Sequence, residues 1–413
     1  MISSPTRGAV YLDHNAGAPL STAASQAMAR ALEMAGGSWG NPSSPHAFGH
    51  RARLALEDAR RDVASLIGAR ASEIVFVSGG TEADNLAIRG AAAAIETAGG
   101  TQGLRHLVTT AVEHPAVLEP CRHLASRGWR LTVLPVDAHG CVQTVAMEKA
   151  FAQEPALISV MAANNETGTL QPLGQIARLA RQTAAVLHVD AAQAAGRIRL
   201  DVRELDVDLV SISSHKIGGP AGIGALYVRE GTPLEPLILG GGQEGRRRAG
   251  TELPALAAGF AAAAKDASSR LANEAVRLAD LRNKMERRLA GLIAGIRFNG
   301  SGGSAGRLPS TSSMMIPGIA HESLVIAMDL RGFAISTGSA CSTGSSRPSH
   351  VLAAMGMSAD EAASTVRVSF GASTRQDELD AFVQTLAEVA ADLTAGGSAK
   401  GAAPPVGVAG GSL

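Results

Sequence analysis

The chain has 413 residues, long enough for two or three domains, with 37 basic and 37 acidic side chains and a hydrophobic share of 46%. That balance supplies no basic field for nucleic acid or for an acidic membrane surface, so neither is an expected partner. No apolar stretch reaches the length of a bilayer span, and residues 1–7 lack the apolar centre of a secretory signal, so the expected location is the cytoplasm. Three cysteines, Cys121, Cys141 and Cys341, are too few and too far apart for a disulfide framework or a structural zinc site, and no metal is expected.

From about residue 22 to about residue 260, strand-like and helix-like patterns alternate. Strands are predicted at 74–77, 106–109, 131–134, 157–161, 185–189, 208–212 and 224–228, with helices starting at Thr81 and Pro115 and spanning 173–183. Such alternation predicts an α/β fold with a mostly parallel sheet covered by helices on both faces. A helical run over 253–294 leads to a smaller α+β part, with strands at 312–316 and 366–370 and a last amphipathic helix over 376–393. The expected division is an N-terminal arm (1–21), a large domain (22–258), a small domain (259–395) and a Gly/Ala/Pro-rich disordered tail (396–413).

Of the five lysines, only Lys216 stands at the exit of an apolar strand, beside His215 and ahead of a glycine turn. A lysine there is easily desolvated, which favours its neutral, nucleophilic amine. A Schiff base to an aldehyde cofactor requires that amine; the alternative is an ordinary loop lysine. Asp190 falls at the carboxyl end of a predicted strand, where open α/β sheets bind ligands. It suits a protonated ring nitrogen, or else caps a helix, and Gln193 follows within reach.

The run Ser78-Gly79-Gly80-Thr81-Glu82-Ala83-Asp84 follows a strand and opens a helix. Thr81 and Asp84 fit a capping box with Thr81 as N-cap. The turn is either an anion cradle or a plain capped turn. His114, between a strand and a helix, suits ring stacking and proton transfer, or simple solvation. The segment 164–168 again follows a strand and reads equally as a turn. Cys341 lies in a small-residue stretch, 336–346, without large apolar neighbours. It is therefore the reactive candidate over Cys121, in a helical pattern, and Cys141, after a glycine.

Taken together, the segments 11–16, 40–46, 78–85, 113–114, 164–168, 188–193, 213–219, 240–251, 338–341 and 366–371, in that order and spacing, resemble the cysteine desulfurases of the class V aminotransferase family. The stretch around Cys341, followed by Pro348-Ser349-His350-Val351-Leu352, resembles the group I branch. The resemblance implies the pyridoxal-phosphate transferase type I fold, a large domain with a mostly parallel seven-stranded sheet plus a smaller α+β domain.

It also implies roles. Lys216 carries pyridoxal 5'-phosphate as a Schiff base, Asp190 pairs with the ring nitrogen, Gln193 bonds the ring hydroxyl, and His114 stacks on the ring and moves protons. Gly80, Thr81, Ser213 and His215 hold the phosphate, and Thr251 reaches the phosphate of the other subunit of a homodimer. Asn165 and Arg367 orient the substrate carboxylate. The implied reaction converts L-cysteine to L-alanine and leaves a persulfide on Cys341 for a sulfur-acceptor protein, an iron–sulfur scaffold among the candidates.

Other readings are a selenocysteine lyase or aminotransferase of the same class, and a sulfur carrier or scaffold that kept the fold without the activity. Cys341 speaks against an aminotransferase. The joint presence of Lys216, Asp190, Gln193, His114 and Cys341 speaks against an inactive carrier.

Overall fold

Near-continuous apolar runs become strands buried on both faces when helices cover both sides of a sheet. This is the arrangement found in the computed structural model, which describes residues 9–34, 40–99, 105–337 and 349–399. In chain order the first elements are β1 (Val10–Tyr11), α1 (Thr22–Met34), α2 (Ala47–Leu66) and β2 (Ile74–Val77). Then come α3 (Gly80–Asn85), continued through a turn of π-helix into α4 (Ala91–Thr97), β3 (His106–Thr110), α5 (Pro115–Ser126) and β4 (Arg130–Leu134). α6 (Thr144–Phe151), β5 (Leu157–Met161), α7 (Leu173–Ala180), β6 (Val186–Asp190), α8 (Val202–Leu205), β7 (Leu209–Ser213) and β8 (Gly224–Val228) complete the first body. The remainder is α9 (Pro254–Leu292), β9 (Arg297–Asn299), β10 (Thr311–Met315), α10 (His321–Leu330), β11 (Phe333–Ala334), α11 (His350–Ala354), α12 (Ala359–Ala363), β12 (Thr365–Ser369) and α13 (Gln376–Ala399).

Seven strands form the main sheet in the order β2-β8-β7-β6-β5-β3-β4, and β8 alone runs against its neighbours. Successive side chains point to opposite faces. Phe76, Val108, Ile158, Leu187 and Val210 join one core with Leu56 and Val63 of α2. Their chain neighbours Val75, Leu107, Leu157, Val186 and Leu209 join another with Ala83 and Leu86 near α3 and Val117 of α5. Gly224 is required where β8 passes the turn before α3, since a Cβ there would meet the Gly79 backbone at 2.8 Å.

A second core gathers around the antiparallel sheet β9-β10-β12, with Leu324 and Met328 of α10 and Phe382 and Leu386 of α13. The N-terminal arm joins this body: β1 pairs in parallel with β11, and Asp13 bridges to Ser369. Helix α9, about 58 Å long at the usual rise per residue, serves both cores. Ala257, Phe260 and Ala264 enter the first core, and Leu278, Leu281, Met285 and Leu289 the second. The change of core therefore falls inside α9, between Ala264 and Leu278, where the sequence reading placed a boundary at 258.

Two helix ends differ from expectation. α7 stops at Ala180, and α13 continues to Ala399 through Gly396 and Gly397, past the expected start of the tail. Propagating a helix that is already long costs less than starting one, so two glycines do not end it. Residues 400–413 lie outside the described residues.

Candidate active site

Asp190 is the last residue of β6, and its neighbour β7 ends at Ser213. A single tight turn, Ser214–Lys216, then places Lys216 beside the end of β6. The Lys216 amine donates to the main-chain oxygens of Asn15 (2.6 Å) and Ala16 (2.9 Å) in the N-terminal arm. Asp190 is buried, and its Oδ1 accepts from the amide of Ala192 at 2.9 Å. Burial raises the Asp190 carboxyl above the usual carboxylate range, while that amide and the charges of His114 and Lys216 oppose the rise.

The turn before α3 lies against the end of β7. A Cβ on Gly80 would come within 3.5 Å of the Ser213 Cβ and 3.9 Å of the Ala192 Cβ, so glycine keeps this gap open. Ser213 Oγ sits 3.0 Å from His215 Nδ1. Burial and the Lys216 charge pull His215 down to about 4, so its ring is neutral at physiological pH. Thr81 is not the N-cap the sequence suggested. The helix starts one residue earlier, with Gly79 as cap and no side-chain cap bond. Glu82 takes the capping duty, accepting from the Ser78 amide at 2.7 Å and pairing with Arg248 at 2.9 Å.

His114 does serve as an N-cap. Its Nδ1 accepts from the Ala116 amide at 3.1 Å, and burial lowers its pKa. The neutral ring therefore carries its proton on Nε2.

Gln193 donates to the Asn15 oxygen at 2.9 Å and accepts from Arg197 at 2.9 Å. Arg367, on β12 and 2% exposed, donates to Asp13 Oδ1 at 2.6 Å and to the Asn165 oxygen at 3.0 Å. Thr251 is exposed on the segment ahead of α9, apart from this cluster in the chain. Cys341 lies outside the described residues. The other two cysteines are buried. Burial pushes the Cys121 thiol up to about 12 and raises that of Cys141 as well.

Two residues of the centre escaped the sequence reading. Asn15 uses Nδ2 for Asn165 and Thr311, each at 3.0 Å, and its main-chain amide for Ser369 at 2.9 Å. Arg197 bonds Asn15, Gln193, His14 and the Lys216 oxygen. The available signal for Arg197 was its spacing, four residues after Gln193. For Asn15 it was only a polar triplet after a two-residue strand.

Cavities open on two sides. One of about 590 Å³ includes Lys216, Arg197, His14, Arg270 and Phe370 in its lining. Another of about 530 Å³ lies beside Thr81, Arg89, His114 and His123.

Comparison with known proteins places the whole chain in a family. A profile described as aminotransferase class V matches residues 10–382, and the chain belongs to that family, whose cofactor is pyridoxal 5'-phosphate. It is 41% identical over 380 residues to a cysteine desulfurase IscS of Dictyoglomus turgidum, covering 92% of this chain and 94% of the relative. A solved NifS-like protein superposes with a TM-score of 0.85 at 33% identity, covering 93% of this chain and 100% of its own. A structure described as SspA in complex with cysteine superposes with a TM-score of 0.75 at 34% identity, covering 87% and 98%.

The residues present fit that cofactor. The amides that begin α3, with Ser213 and the open gap at Gly80, offer donors to a phosphate. Asp190 offers a buried acceptor to a protonated ring nitrogen, and Lys216 offers an amine. Among the described residues no helix is long and apolar enough to cross a membrane.

Proposed function

We propose that this chain is a pyridoxal-phosphate-dependent cysteine desulfurase that converts L-cysteine to L-alanine and passes the sulfur through Cys341 to an acceptor protein. The observation that carries the reading is the placement of Lys216 and Asp190 at the ends of neighbouring strands, facing the α3 turn. The names of the relatives and the cysteine found with one solved neighbour support it.

When bound, pyridoxal phosphate supplies an electron sink for the Cα of the substrate. In this reading Lys216 holds the cofactor and then moves the Cα proton. Asp190 keeps a proton on the ring nitrogen. His114 packs on the ring and presents its Nε2–H, and Gln193 turns toward the ring hydroxyl. Gly80, Thr81, Ser213 and His215 hold the phosphate. Arg367 and Asn165 receive the substrate carboxylate, with the planar guanidinium suited to a two-point grip.

The Cys341 thiolate attacks the substrate sulfur. The carbon–sulfur bond breaks, a sulfur–sulfur bond forms on Cys341, and alanine leaves after reprotonation. The raised pKa values of Cys121 and Cys141 favour Cys341 for this step.

Further parts of the proposal are a cytoplasmic homodimer in which Thr251 reaches the partner's phosphate, and two domains meeting along α9. Exposed Ile238, Leu239 and Leu253 beside Thr251 suit such a contact. The acceptor is a sulfur-accepting protein, with iron–sulfur assembly first among candidates because a relative bears the name IscS.

The test is the purified protein incubated with L-cysteine and a thiol reductant, which releases the persulfide sulfur as sulfide. A yellow protein that yields equal alanine and sulfide is expected. Cys341→Ser should keep the colour and lose the protein-bound persulfide. A colourless protein that takes up no cofactor, or unchanged desulfuration in Cys341→Ser, would sink the reading.

A further inference from the structure

A set of buried polar groups not used above lies under the site, on the sheet face that carries α3 and α5. That face begins with Leu157, Val186 and Leu209 in the core and ends at Asp190 and Ser213. Between them stand Ser159, His188 and Ser211, none with measurable exposure. Ser159 Oγ is 2.8 Å from His188 Nδ1, and Ser211 Oγ is 2.9 Å from Nε2. Asp84 comes down from α3, 2% exposed. Its Oδ1 lies 3.6 Å from the same Nε2 and takes no hydrogen bond.

Three carboxyls share this buried region. Asp190 faces Lys216 and His114. Glu113 has Oε1 bonded to the Thr110 hydroxyl (2.6 Å) and the Met161 amide (2.9 Å), while Oε2 takes no hydrogen bond. Asp84 is faced by Asp190 and His188 from β6, Glu113 from the end of β3 and Cys121 from α5. None of these offers it a ready positive charge.

We propose that Asp84 is a positioning residue that keeps its proton, so that the cluster's negative charge stands on Asp190 alone and His188 holds its proton on Nδ1. The inference rests on the reading of Asp190 as partner of the cofactor's ring nitrogen.

The two contacts of the His188 ring accept either tautomer, and the state of Asp84 decides between them. An ionised Asp84 beside Nε2 would draw the ring proton to that nitrogen. A neutral Asp84 leaves Nε2 to accept from the Ser211 hydroxyl, and Nδ1–H to donate to Ser159. Burial lifts Asp84 well above the usual carboxylate range and the Asp190 charge adds to the rise, with Ser211 opposing. Burial also pulls His188 down to about 3, so the ring is neutral in either case and only its tautomer is at issue. A second charge here would make Asp190 easier to protonate, and a protonated Asp190 no longer holds a proton on the ring nitrogen.

The test uses the holoenzyme with nitrogen-15-labelled histidine, the His188 signal being assigned by its loss in His188→Asn. Wild-type protein should show His188 protonated at Nδ1 at neutral pH. Asp84→Asn replaces a neutral acid by a neutral amide. The pH midpoint of the bound cofactor's absorbance should then move by less than about 0.3 unit.

His188 protonated at Nε2 in the wild type overturns the proposal. A midpoint shift of about one unit or more in Asp84→Asn, tenfold in the acid constant, also overturns it. If instead Asp190→Asn leaves the absorbance and its midpoint unchanged, the reading of Asp190 itself has failed, whatever Asp84 does.

Discussion

The two sides of the site are built by different means. On the side proposed to hold the cofactor, Asp190, Ser213 and Lys216 come from the ends of two adjacent strands whose register is set by the sheet, with Asp190 opposite Ser211. On the side proposed to receive the substrate, Asp13 and Asn15 come from the N-terminal arm, Asn165 from a turn after β5, and Arg367 from β12 of the second body. The first side is as rigid as the sheet core. The second exists only while the arm stays docked between the two bodies. A lesion on the first side should therefore remove chemistry, and a lesion on the second should weaken substrate capture or stability.

The largest effect is expected on the rigid side. In the proposed reading, Lys216→Ala removes both the cofactor's anchor and the proton carrier. Turnover should drop by about 10⁴ or more, the upper end for loss of a positioned acid–base group, and the yellow colour of the lysine-bound cofactor should vanish. If Lys216→Ala retained tenfold-reduced turnover, the rigid side would not hold the chemistry.

Next comes Arg367→Ala. In the described structure the guanidinium is held by Asp13 and Asn165. Loss of a charge-assisted grip costs about 1.5–3 kcal/mol, so KM for cysteine should rise about 10- to 100-fold with a smaller fall in kcat. Asp13→Asn sharpens the point, because it keeps the guanidinium and removes the charge that competes with a substrate carboxylate. Its KM should stay within a few-fold of wild type, by the same scale of charged hydrogen bonds. Equal rises in KM for both variants would mean that Arg367 acts by holding the arm rather than the substrate.

The same contrast explains what could be read from sequence. Residues on the rigid side announce themselves locally: Asp190 ends an apolar strand, Lys216 follows one, and Ser78-Gly79 separates β2 from α3. The strands of the main sheet were legible to within a residue or two for the same reason, since the inner ones are apolar on both faces and their runs stand out. Asn15 and Arg197 were not legible as a centre. Their roles arise from bonds between positions 182 residues apart, which no local pattern encodes. The change of core inside α9 has no local signature either, because a continuous helix gives no composition break where its buried face changes partners.

Asn15→Ala tests the seam between the two sides. It deletes the Nδ2 bonds to Asn165 and Thr311 and leaves buried Arg197 short of an acceptor. An unmet buried donor costs about 1–3 kcal/mol, so urea unfolding should show a loss of about that size. The main-chain oxygen of residue 15 still meets Lys216 and Gln193. Cofactor colour should therefore survive while KM rises modestly. Loss of colour would show that the arm is part of the cofactor side after all.

The smallest effect on turnover is expected at Glu113, whose readout is the pH dependence of stability, and it separates this buried acid from the histidines around it. Burial pushes Glu113 up to about 8, against hydrogen bonds from Thr110 and the Met161 amide, with Asp190 pushing the same way as burial. In the unfolded chain the group titrates near 4.5. Between those values the folded protein binds the extra proton, so this contribution is complete below about 4.5 and is lost as pH rises through about 8. His14 and His215 (both about 4) and His188 (about 3) have the opposite sign. Each is depressed from 6.5, so the unfolded chain binds more protons in that window and stability falls as pH drops from about 6.5 toward 3. Glu113→Gln keeps the acceptor for Thr110 and Met161 but cannot ionise. Its stability relative to wild type should therefore improve steadily from pH 5 to pH 8, with the acid-side decline unchanged. Parallel stability curves for the two proteins across that range would show that Glu113 is ionised in the fold, and would remove one of the two neutral neighbours on which the charge of Asp190 depends.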